Sequence, residues 1–170
     1  MGDPHTLLNA LSEADARAQL TRCCGAQRWV AGMLARRPFS SAPALHQAAD
    51  EVWSALDTAD YLEAFAHHPQ IGESLDALRA KFAATASWSQ GEQTAVAHAD
   101  DATLLALREE NAAYRRRFGH IFIVCATGKS AAEMLALLRG RIHNEAAQEL
   151  AIAAAEQAKI THLRLEKLAP

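Results

Sequence analysis

The chain has 170 residues, of which 50% are hydrophobic, 22% charged and 6% aromatic, enough for one domain with a core of its own. That apolar content excludes disorder, and no run of ~18 apolar residues offers a membrane span. Lys+Arg 17 against Asp+Glu 20 gives a net charge of −3, which argues against a polyanion-binding surface and hence against a nucleic-acid partner.

Alanine dominates, at 39 of 170 residues, with only 8 Gly and 5 Pro as punctuation. Alanine is the best helix former. The expected fold is therefore all-α: one compact domain over 1–170, a bundle of about eight or more helices with short connections. Ser12 opens a helix running to about Cys23. Trp29, Met33 and Leu34 mark a second, which ends at Arg37-Pro38 because a residue before proline leaves the α region. Ser41 precedes a helix carrying Leu45, Ala49, Val52, Trp53 and Leu56. Thr58 caps the next, with Tyr61, Leu62 and Phe65 inward, and it stops at Ala66-His67-His68-Pro69. Ser74 or Glu73 opens another through Leu75, Leu78 and Phe82. Ser89-Gln90-Gly91-Glu92 has the Ser-x-x-Glu spacing of a capping box and starts a long helix reaching about Phe118, with Gly119 as its stop. Ile121-Phe122-Ile123-Val124 is the departure: a β-branched apolar run bounded by glycines, read as one short extended segment near 120–126. Ser130 caps a helix with Met134, Leu135, Leu137 and Leu138, and Asn144 starts the last, which carries Ile160, Leu163 and Leu165.

Three cysteines, Cys23, Cys24 and Cys125, make a poor disulfide framework and contain no Cys-x-x-Cys pair. The N-terminus lacks the basic start and apolar stretch of a signal peptide. A reducing compartment, the cytoplasm, is the expected location.

Candidate chemistry is scattered. The eight histidines stand at positions 5, 46, 67, 68, 98, 120, 143 and 162. No two are three or four apart, so no helix face carries a ready histidine pair, and no metal site is expected. His68-Pro69 is more informative, because the proline holds His68 extended and lets its ring project from a helix end. Such a ring either bonds a carbonyl and ends the helix, or carries protons near neutral pH. Ser89, Gln90, Gly91, Glu92 and Gln93 are either a structural cap or a helix tip whose amides, with Glu92 and Gln93, receive a ureido or amide group. Phe122, Ile123, Val124, Cys125 and Ala126 are core, or extended backbone whose amides meet a developing oxyanion. Arg164, amid apolar residues, is a surface charge suited to a helix C-terminus or an inward planar donor.

Together and in order, these stretches resemble the 2-oxo-4-hydroxy-4-carboxy-5-ureidoimidazoline (OHCU) decarboxylase family of urate degradation. The resemblance is carried by Cys24-Gly-Ala-Gln-Arg-Trp29 with Met33 and Arg37-Pro38-Phe39, and by His68-Pro69-Gln70-Ile71-Gly72-Glu73. It continues through Ser89-x-x-Glu92-Gln93 and Phe118-Gly119-x-Ile121-Phe122-Ile123-Val124-Cys125-Ala126. It ends with Arg141-Ile-x-Asn144, Glu149, Glu156, Lys159-Ile160 and Leu163-Arg164-Leu165. His120 departs from the aromatic residue often found at its position.

The resemblance implies an all-helical, usually homodimeric enzyme without a cofactor, acting on a small ureidoimidazoline. It implies His68, Glu92 and Arg164 as catalytic residues, with Arg141 a competing assignment for the arginine. It implies a substrate site of Pro69, Ser89, Gln90, Gly91, Glu92, Gln93 and the backbone of Phe122 through Ala126. On this resemblance the electron sink is expected to lie inside the substrate, and His68 is expected to deliver the proton that makes the product (S)-allantoin. The rival readings are a metal-dependent amidohydrolase-like enzyme, a non-enzymatic all-α interaction domain and, more weakly, a helical DNA-binding regulator.

Overall fold

The computed structural model describes residues 2–68, 76, 79, 80 and 101–169. Among them stand eight helices: α1 (Pro4–Ala10), α2 (Glu13–Cys23), α3 (Gln27–Ala35), α4 (Ala42–Ser54), α5 (Thr58–Ala66), α6 (Asp101–Phe118), α7 (Ala131–Arg141) and α8 (Ala146–Glu166). No strand occurs among the described residues, and none of their helices is long and apolar enough to cross a membrane. The all-α expectation holds. The helix expected from Ser74 or Glu73 through Phe82 lies outside the described residues except at 76, 79 and 80. Of the long helix expected from Ser89, the described part is α6.

The caps explain most boundaries. Ser12 and Ser41 each accept a backbone amide three residues on, from Asp15 and Ala44. Ser130 and Glu133 form a reciprocal capping box on α7. Gly119, at φ 78°, ends α6, its amide bonded to Arg115 O; a side chain there would be strained. Several details differ from expectation: Leu62, expected inward on α5, is exposed, and Leu56 lies beyond the end of α4. α1 has no counterpart among the elements expected from the sequence. α5 is capped by Asp57, not Thr58: the Asp57 carboxylate accepts from Ala59 and Asp60, and the Asp60 carboxylate accepts from the Asp57 amide in return. Asn144 precedes α8 without opening it, and instead donates to Glu149 Oε2 at 3.0 Å.

The chain divides into two compact units, Met1–His68 with Ala154–Pro170, and Pro69–Ala153. In the first, Leu8, Leu20, Trp29, Met33, Leu45, Phe65 and Leu165 are essentially inaccessible, each contributing about 1.5–3 kcal/mol by burial. The two buried indoles find carbonyls, Trp29 at Ala49 and Trp53 at Ala154. In the second, α6 and α7 pack together around Leu104, Leu107, Tyr114, Phe122, Val124, Met134 and Leu138. The run 121–126 is neither helix nor strand. It leads into this core with Phe122, Ile123 and Val124 buried. His120 occupies its place as an aromatic ring does, stacked on Phe118 and edge-on to Tyr114.

Candidate active site

In the first unit α5 stops at Ala66, and the amides of His67 and His68 close the turn on Ala64 O and Phe65 O. His68 is half-buried. Its ring Nε2 lies 2.5 Å from Oε1 of Gln157, a side chain with no solvent exposure. The Gln157 amide nitrogen donates to Thr161 Oγ1 at 3.1 Å, and Thr161 bonds the Cys24 thiol. Further along, Arg164 Nη1 reaches the carbonyls of Arg22 and Cys23, both at 3.4 Å.

Gln157, Thr161 and Arg164 stand at i, i+4 and i+7, so they share one face of α8. Seven residues of helix put Arg164 about 10 Å beyond Gln157. Two of the residues expected to be catalytic, His68 and Arg164, are thus brought to one helix face. Sequence reasoning misses Gln157 and Thr161, although polar residues at this spacing before an arginine are a signal the sequence carries.

Arg164 lines a cavity of about 580 Å³ together with Arg22, Cys23, Gly25, His67 and Lys167; His68, Gln157 and Thr161 are not part of that lining, and no acidic residue occurs among its described residues. It suits an anion or a carbonyl-rich ligand. Gly25 is required by the approach of His67: a Cβ on Gly25 would stand 2.2 Å from the His67 ring. Burial pushes the Cys23 thiol up to about 12 and the Cys24 thiol to about 11, so neither supplies a thiolate at neutral pH.

The second unit holds the backbone run Phe122 through Ala126. Its carbonyls are held by cations: Arg141 Nη1 donates to Ile123 O and Lys129 Nζ to Cys125 O, each at 2.7 Å. Arg141 also covers the Phe122 ring at 4.5 Å and donates to Glu149 Oε1 at 2.7 Å. Glu149, fully buried, accepts a further bond from the Tyr114 hydroxyl. Burial first, then the hydrogen bond and charge of Glu149, push that hydroxyl far above its ordinary range, so it remains a donor. Arg141 is therefore committed to carbonyl and carboxylate inside the protein, whereas Arg164 borders a cavity. Pro69, Ser89, Gln90, Gly91, Glu92 and Gln93 lie outside the described residues. No group of three His, Cys, Asp or Glu able to hold a metal ion occurs among the described residues.

The model of a protein family described as OHCU decarboxylase matches residues 9–166. The chain belongs to the OHCU decarboxylase family. It is 40% identical over 147 residues to the uric acid degradation bifunctional protein TTL of Arabidopsis thaliana, covering 86% of this chain and 45% of that protein. It thus spans less than half the length of that relative. It is 33% identical over 135 residues to the 2-oxo-4-hydroxy-4-carboxy-5-ureidoimidazoline decarboxylase of Amia calva, covering 78% of this chain and 74% of that one. A crystal structure of an OHCU decarboxylase in the presence of (S)-allantoin matches with a TM-score of 0.73 and 36% identity, covering 88% of this chain and 96% of that one. The family assignment and the all-helical fold agree with the sequence-based expectation.

Proposed function

We propose that this OHCU decarboxylase-family chain is a carboxy-lyase that converts 2-oxo-4-hydroxy-4-carboxy-5-ureidoimidazoline to (S)-allantoin in urate degradation, with His68 as its proton carrier. The observation that supports this most is the contact of the His68 ring with Gln157 on the face of α8 that also carries Arg164, an arginine that lines a cavity with Arg22 and Lys167.

The chemistry follows from the substrate's name. The bond between ring carbon 4 and its carboxylate breaks, carbon dioxide leaves, and the electron pair enters the adjacent ring C=N bond, whose nitrogen takes up a proton. The remaining enol carries the former 4-hydroxyl. Protonation of carbon 5 from one face, with loss of the hydroxyl proton, gives the carbonyl of allantoin and sets its handedness. The sink is internal, so the reaction draws on no cofactor. The protein's part is orientation, charge stabilisation and a directed proton.

His68 delivers that proton. Arg164 binds a ring carbonyl, since gripping the departing carboxylate would stabilise the ground state. On the family resemblance, Glu92 and Gln93, with Ser89, Gln90 and Gly91, orient the ureido group, and Pro69 and the backbone of Phe122 through Ala126 complete the site. The family resemblance also supports a homodimer, and three free thiols accord with a cytoplasmic location.

The deciding experiment supplies freshly generated urate-oxidation product and follows the circular dichroism of allantoin. His68→Asn is expected to cut stereospecific turnover by a factor on the order of 10² or more with helicity intact. Full rate and full optical activity in that variant would overturn the assignment. Retained activity after chelation separates this reading from a metal-dependent hydrolase.

A further inference from the structure

We infer that Gln157 is a positioning residue that keeps the hydrogen of the His68 ring on Nε2, so that the proton His68 takes up and gives away is the one on Nδ1. The inference rests on the reading of His68 as proton carrier, and it names the ring atom through which that role runs.

The chain of bonds begins at Cys24, which is buried and whose thiol is paired with the Thr161 side chain. Thr161 Oγ1 receives the amide nitrogen of Gln157 at 3.1 Å, one turn earlier on α8. With its nitrogen so engaged, Gln157 presents Oε1 to the histidine, 2.5 Å from Nε2. An amide oxygen has lone pairs and no hydrogen, so it only accepts. The ring must therefore donate from Nε2, in the neutral imidazole and in the imidazolium alike. The hydrogen bond made by one ring nitrogen decides which state the other adopts.

Burial makes the preference strong. Gln157 has no solvent exposure, so an Nε2 lone pair facing its carbonyl would leave two acceptors opposed with no water between them, at the cost of a buried unsatisfied group. Gln157 is uncharged. It can fix the ring's tautomer and orientation without the large rise in basicity that a carboxylate partner brings. The residue's place in the reaction is thus to aim the ring, with no contact to the reacting atoms.

The test reads the ring directly. Long-range ¹⁵N–¹H correlation of the ¹⁵N-labelled full chain, above the pH at which His68 titrates, is expected to show a pyrrole-type Nε2 and a pyridine-type Nδ1. The reversed pattern overturns the inference, and this measurement needs no variant to fold. Gln157→Leu is expected to mix the two tautomers and lower kcat on the order of tenfold, the scale for losing a partner that fixes an imidazole, with less change in KM. Gln157→Glu, a carboxylate that favours imidazolium, is expected to move the His68 limb of the pH profile of kcat/KM to higher pH by about one unit. Unchanged kcat and an unmoved profile in both variants overturn the inference. Full stereospecific turnover by His68→Asn beside the expected ¹⁵N pattern would overturn the catalytic reading alone. A reversed ¹⁵N pattern with His68→Asn inactive would overturn this inference alone.

Discussion

Two buried polar clusters, one in each unit, are built in opposite ways. In the second, Glu149 is sealed among Arg141, Tyr114 and Asn144, and a full negative charge is answered by a full positive one. In the first, a neutral amide and a hydroxyl, Gln157 and Thr161, lead to His68, while the cations Arg22, Arg164 and Lys167 border a cavity. Charges that answer one another inside the protein serve the fold. Neutral groups that hold a titratable ring, beside cations lining open space, leave chemistry on offer. Between the two arginines that the sequence leaves in competition, the contrast supports our proposal that Arg164 is the one that meets a ligand.

The comparison is broken most severely at Glu149. Replacing it with leucine leaves the Arg141 guanidinium buried, at 11% side-chain exposure, with no carboxylate. The expected loss is about 3–5 kcal/mol, read as a fall in denaturant midpoint. The paired change Arg141→Met with Glu149→Leu removes both charges and is expected to lose clearly less. Equal losses in the single and double variants would show that the pair stabilises as a pair, contrary to the cost of a lone buried charge.

A smaller effect tests the first unit. Gly25→Ala places a methyl 2.2 Å from the His67 ring, at the base of the ring, which cannot yield without moving the α5 terminus. Overpacking of this kind costs about 1–3 kcal/mol, and turnover is expected to fall with it because His68 is the next residue. His67→Gly in the same chain removes both the ring and the Cβ that the methyl would meet, and recovery of both stability and turnover is the expected result. Recovery of neither would show that Gly25 acts through some other contact.

How much of the molecule is legible in the sequence divides along the same line. Helix starts that depend on a local cap, such as Ser12, Ser41 and Ser130, read correctly because the capping bond spans only three residues of sequence. Asp57 does not, because Thr58 and Asp57 are both good caps, and the choice is made by the return bond to Asp60 and by Arg28, which reaches Asp60 at 2.7 Å from α3. His68 is visible because proline punctuates locally. Gln157 is legible only as one of the polar residues that share a helix face with Arg164, and the sequence does not say what it meets, since its partner is 89 residues away. Tyr114 and Glu149 are hidden for the same reason. A local cap of the legible kind should also behave locally: Ser130→Ala is expected to cost about 1 kcal/mol without altering turnover, and Ser130→Asp to restore stability.

The smallest effect concerns His46, in the first unit, which behaves unlike His68. Its ring lies 4.6 Å from that of His162, and His162 Nε2 is 2.6 Å from Asp50 Oδ1. Burial first, and then the charge of His162, hold its pKa below the ordinary 6.5, while Glu166 and Asp50 pull the other way. The neutral ring is thus favoured by folding, and the unfolded chain binds the proton more readily. The stability this provides is complete above about pH 6.5 and is lost as the pH falls from there through the lower folded value. Melting temperature is expected to drop between about pH 7.5 and pH 5, and His46→Gln, which never charges, is expected to flatten that slope. An equally steep slope in the variant would assign the acid sensitivity to other groups, leaving His46 a packing residue whose ring is indifferent to its proton.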